Sequence, residues 1–142
     1  MKTYVIVSAL LLGATFTDGS AQSASTNRVP RTVKTAFTNT YATARQVKWD
    51  REGKDWEVSF TLNGEKKSAL FNPDGQQIEL ETEISVAKLP QSVRSYMDGQ
   101  KKPIAEAAEI TDAMGKRYYE AESGGKDYLF TAEGKPVKKI GQ

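Results

Sequence analysis

Beyond residue 28 the chain changes its hydrophobic period twice, in the same order each time. Val33, Phe37 and Tyr41 recur every fourth position, as do Leu89, Val93 and Met97, so each set lines one side of a helix. Pro30 and Pro90 stand where each helix starts, a place that tolerates proline because its missing N–H would be unpaired anyway. Both helices are short and need a sheet to lie on.

After each helix the period falls to two. Val47 and Trp49 alternate with Gln46 and Lys48, and Trp56, Val58, Phe60 and Leu62 alternate with Glu57, Ser59 and Thr61. Asn63-Gly64 marks a two-residue hairpin before a strand at 65–72. Asn72-Pro73-Asp74-Gly75 reads as a type I turn. Ile78, Leu80, Thr82 and Ile84 then alternate with Glu79, Glu81 and Glu83. The second helix is followed by four strands expected near 104–111, 117–123, 126–131 and 135–140.

Three segment pairs match in the same order. VPRTVKTAFTNTY at 29–41 answers LPQSVRSYMDGQK at 89–101, DREGKDWEVSF at 50–60 answers DAMGKRYYEAES at 112–123, and ALFNPDGQQI at 69–78 answers YLFTAEGKPV at 128–137. The chain therefore reads as a tandem repeat, 29–85 and 89–140, of a helix followed by a four-strand antiparallel meander. The expected fold is α+β. Two helices cover one face of a mostly antiparallel sheet of about eight strands, which normal twist would curve.

Residues 1–21 carry Lys2, an apolar run from Tyr4 to Leu12 and a small-x-small site at Gly19 and Ala21. That is the layout of a secretory signal peptide, too short in its apolar core to span a bilayer comfortably. With no cysteine there is no lipid-attachment point. The expectation is an exported chain, residues 22–142, forming a single domain in the periplasm or outside the cell, with no stable membrane anchor after cleavage.

Composition narrows the chemistry. Twenty Lys and Arg against 18 Asp and Glu give a net charge of +2, and the basic residues fall in scattered pairs. Nucleic acid is not expected, because it asks for a concentrated basic face. The chain has no Cys and no His, so it lacks thiol nucleophiles, Ser-His pairs and imidazole or thiolate zinc sites. No disulfide supports the fold. A metal, if any, would be a hard oxygen-seeking ion.

The three alternating glutamates are the obvious candidates for chemistry. An EF-hand loop counted back from Gly75 would need its first ligand at Leu70, so that pattern fails. Along one strand face such carboxylates lie nearly 7 Å apart, about twice the rise per residue, which is too wide for neighbours to grip one small ion. They are accounted for as the outward half of a strand whose other half faces the helices. Trp49 and Trp56 fall on the apolar register and are expected in the core. Tyr118 is out of register with Tyr119 and should project beside Glu120 and Glu122, either as an interface anchor or lying flat over aliphatic stems.

Taken together, Val29-Pro30-x-x-Val33-Lys34-x-Ala36-Phe37, Val47-x-Trp49, Trp56-Glu57-Val58-x-Phe60, Ser68-Ala69-Leu70-Phe71-x-x-Asp74-Gly75, Glu81-Thr82-Glu83-Ile84 and Leu89-Pro90 resemble the beta-lactamase-inhibitor-like, PepSY-like family of exported proteins. That family is typical of Bacteroidetes-type bacteria. The resemblance covers nearly the whole of residues 22–142. It implies the fold of beta-lactamase inhibitor proteins, whose sheet presents its open face to a partner. It also implies a periplasmic or secreted location, but no defined activity. The expected function is a non-enzymatic periplasmic binding module, with inhibition or regulation of a peptidase or another envelope protein as its expected use. The chain departs from the family in lacking cysteine, and in DGQKKPIAEAAEI lacking the aromatic usual after the helix. The expected partner-binding face comprises Glu57, Ser59, Glu79, Glu81, Glu83, Tyr118, Glu120 and Glu122, with no catalytic residue, metal or cofactor. The alternative is a small-ligand or cation sensor using the same carboxylates.

Overall fold

The structure, a computed structural model, describes residues 29–137. The expected signal peptide and the end of the expected last strand lie outside these residues. In chain order the elements are α1 (Arg31–Thr40), β1 (Arg45–Glu52), β2 (Asp55–Leu62), β3 (Glu65–Phe71), β4 (Gln77–Ile84), α2 (Gln91–Gly99), β5 (Glu106–Asp112), β6 (Arg117–Ser123) and β7 (Lys126–Thr131), with one 3-10 turn, Val86–Lys88, before α2. The strands form a seven-stranded antiparallel sheet whose order follows the chain, β1 to β7. The fold is therefore α+β, as expected. Its contacts divide it into two compact units, one ending at Leu80 and the other starting at Glu81, so the boundary falls inside β4.

In the first unit α1 buries Val33 and Phe37 against Trp49, Trp56, Val58, Phe60, Ala69 and Phe71. Phe37 is the hub. Its ring lies 5.3 Å from Trp49, 5.1 Å from Phe60 and 6.4 Å from Phe71, each edge-on, the arrangement aromatic quadrupoles prefer. Both tryptophans are thus core residues, as their register predicts. Asn63 and Gly64 take φ of 52° and 84°, the positive pair that a tight hairpin turn between twisted strands requires.

Val47 is more exposed than its register predicts. The β1–β2 register slips between Arg45 and Lys48, where Gln46 adopts φ of 54° and accepts a hydrogen bond from Thr61 Oγ1 at 2.9 Å. This β-bulge adds a residue to β1 and leaves Val47 42% exposed. Alternation alone cannot foresee the insertion.

In the second unit α2 buries Val93 and Met97 against Ala107, Ala121 and Phe130, with Tyr119 and Tyr128 packed at the margin. The fourth strand expected here is only begun. Phe130 makes one bridge with Pro136, and Val137 N donates to Leu129 O at 2.7 Å. Pro136 has no N–H to extend the ladder, and 138–140 lie outside the described residues. The described sheet accordingly has seven strands rather than eight.

Each unit fastens its helix to a turn through the same contact. Thr32 Oγ1 donates to Pro73 O at 3.1 Å, and Ser92 Oγ donates to Glu133 O at 3.3 Å, across a separation of 41 residues in both cases. The glycines of those turns, Gly75 and Gly134, have φ of +86° and +77° and sit against Thr32 and Ser92. A side chain at Gly75 would come within 3.0 Å of Thr32 O, so the close approach of helix and turn needs glycine there.

Candidate binding face

The expected face residues divide between the two units. In the first unit, Trp56, Val58 and Phe60 face α1, so Glu57 and Ser59 face the other way. Glu57 stands opposite Asp50 on one side and Leu70 on the other, and Ser59 stands between Lys48 and Ser68. Burial pushes the Glu57 carboxyl above its ordinary value, opposed by a hydrogen bond from Ser68 and reinforced by Asp50 and Glu52. Glu79 lies on the same alternation, because Leu80 next to it packs against the core.

In the second unit, Ala107, Ala121 and Phe130 face α2, and the residues between them form the outward face. The pairing arranges that face in three rows. Glu106, Glu122 and Asp127 lie side by side across β5, β6 and β7. Ala108, Glu120 and Leu129 form the next row, then Ile110, Tyr118 and Thr131. Glu81 and Glu83 lie on β4, the strand next to β5. The face thus grades from an acidic row to an apolar and aromatic one. At the apolar end, Lys116 Nζ sits 5.1 Å from the Tyr118 ring, a cation over an aromatic face. Met114, 81% exposed, stands at the tip of the β5–β6 turn, which Asp112 holds by accepting from the amides of Met114 and Lys116.

Two features differ from the solvated ladder expected. Glu79, Glu81 and Glu120 are buried, and only Glu83 of the β4 set is exposed. None of the three is without a partner, as a buried carboxylate requires. The outward face is also not uniformly polar, since Ile110 on it is fully buried and Ala108 nearly so. Alternation assigns a side chain to a face but does not say what its neighbours will cover. The missed residues had a signal: AEAAEI places apolar side chains on both faces of one strand, the mark of a strand covered on both sides.

Glu122 accepts from Gly125 N, which ties the acidic row to the Gly124-Gly125 turn. Among the described residues no group of three His, Cys, Asp or Glu is arranged to hold a metal ion. Nor is any helix among them long and apolar enough to cross a membrane.

No family model matches the chain, and no curated protein matches it. Solved structures do match. The chain is similar to a candidate periplasmic protein of Bacteroides eggerthii, at a TM-score of 0.68 and 18% identity, over 78% of this chain and 86% of that one. A DUF2874 family protein of Bacteroides uniformis matches at 0.67 and 18%, over 77% and 86%. A BLIP-like protein of Bacteroides fragilis matches at 0.57 and 19%, over 80% and 89%. At such identities the likeness shows the fold, which is that of the BLIP-like proteins.

Proposed function

We propose that the chain is an exported, non-enzymatic binding module of the periplasm that grips an envelope protein through the outward face of β4–β7. The observation that carries this reading is the three-row gradient on β5–β7. A carboxylate row and, two rows along the same face, the half-buried Tyr118 offer steering charge and an anchor within one strand length. A periplasmic location is supported by the sequence of residues 1–21 and by the solved neighbour of that description. The family resemblance points to a peptidase as the partner to look for first.

The test is capture from envelope extract by the wild type and by a Tyr118→Ala/Glu83→Lys variant, which alters one aromatic and one exposed carboxylate. The reading expects at least one specific partner whose recovery drops about tenfold or more in the variant, as loss of an interface anchor requires. Identical partner sets for the two proteins would overturn the assignment of this face.

A further inference from the structure

β1 ends the sheet. It pairs with β2 on one side and, among the described residues, with no strand on the other. Arg45 to Lys48 and Arg51 are exposed along it. Its charges are arranged unusually for a margin: Lys48, Asp50 and Glu52 share the outward face, and Val47, Trp49 and Arg51 share the helix side. Lys48 Nζ already lies 3.2 Å from Asp50 Oδ2 within the strand.

Natural margins commonly carry lysines and bulges that discourage pairing with any passing strand. Here the charges do something more selective. If β1 meets β1 of a second copy, the antiparallel pair has a two-fold axis through one residue, and facing side chains must share a face. With Lys48 on the axis, two lysines meet. With Asp50 there, Lys48 faces Glu52 of the second copy but two aspartates meet on the axis itself. With Arg51 there, two arginines meet and Asp50 faces Glu52. With Val47 there, the overlap is short and leaves both acids outside it. Trp49 on the axis is the register that matches: Lys48 faces Asp50 of the second copy, and Asp50 faces its Lys48. The internal ion pairs then join into a closed ring of alternating charge about the axis. In the same register the stem of Arg51 from the second copy lies over exposed Val47. That position is the mouth of a groove of about 290 Å³ between α1 and β1, walled by Phe37, Tyr41 and Trp49.

We infer that β1 is a self-recognition edge through which two copies of this chain form an antiparallel, two-fold dimer centred on Trp49. One strand from each copy makes an interface at the small end of specific contacts, so the dimer is reversible, forming at roughly micromolar to hundred-micromolar concentration. It does not depend on the binding face proposed above.

Sedimentation velocity on protein expressed from the full-length gene, over about 1 to 500 µM, reads the weight-average mass. The wild type is expected to pass from monomer to dimer. Lys48→Glu and, separately, Asp50→Lys each set like charges against one another twice, and each should raise the dissociation constant about tenfold or more. The exchange variant, Lys48→Asp with Asp50→Lys, restores both pairs and should return it to within about threefold of wild type. A monomer at every concentration would overturn the inference. So would a dimer indifferent to Lys48→Glu, or one that the exchange variant fails to restore.

Discussion

Glu57 keeps its proton to higher pH than an ordinary carboxylate, first because it is largely buried and then because Asp50 and Glu52 lie near it. The unfolded chain releases that proton near the ordinary value of 4.5. In the window just above 4.5 the folded state therefore binds more protons than the unfolded one, and stability falls as pH rises through it. At neutral pH the ionised carboxylate is a standing cost. Glu57→Gln removes the ionisation and keeps an acceptor for Ser68. Chemical denaturation should find this variant more stable than wild type at pH 7, with the advantage fading toward about pH 4, where both side chains are neutral. An advantage of the same size at both pH values would mean that ionisation is not the cause. The placement of Glu57 was legible from alternation, but its burial and its acidic neighbours depended on the β1–β2 register.

At the scale of elements, most of this fold could be read before it was seen. Val33, Phe37, Val93 and Met97 give two helical stripes, and the strands of the first half follow from strict alternation between Asn-Gly and Asn-Pro-Asp-Gly turns. Two things escaped: the bulge at Gln46 and the burial of Glu79, Glu81 and Glu120. The bulge is an insertion with no composition signal. Of the expected last strand, the described residues show only the bridge at Pro136, and 138–140 lie outside them. The glutamates lie on the expected side of β4 and β6, but what covers a side chain is a tertiary property. The helix-to-turn contact is the element-scale feature most exposed to test. Gly75→Ala meets both an unfavourable φ and the Thr32 carbonyl at 3.0 Å, whereas Gly53→Ala, at φ of +57° with nothing within 4 Å, meets only the first. Gly53→Ala should cost about 1 kcal/mol and Gly75→Ala at least about 1 kcal/mol more, by denaturant titration. Equal costs would show that the first unit can widen its helix-to-turn approach freely.

For the whole molecule, fold and function stand on different ground. The BLIP-like fold is shared with solved proteins at 18 to 19% identity, a level at which surfaces diverge freely while core patterns persist. The proposed role rests instead on this chain's own outward residues, above all half-buried Tyr118, which stands between Ile110 and Thr131 on a face that also carries carboxylates. A photo-cross-linking amino acid placed at position 118 in intact cells tests that claim most directly, with position 54, on the exposed β1–β2 turn, as the control. The account predicts a discrete adduct with one envelope protein from position 118 and none from position 54. No adduct from position 118, or the same products from both positions, would contradict it.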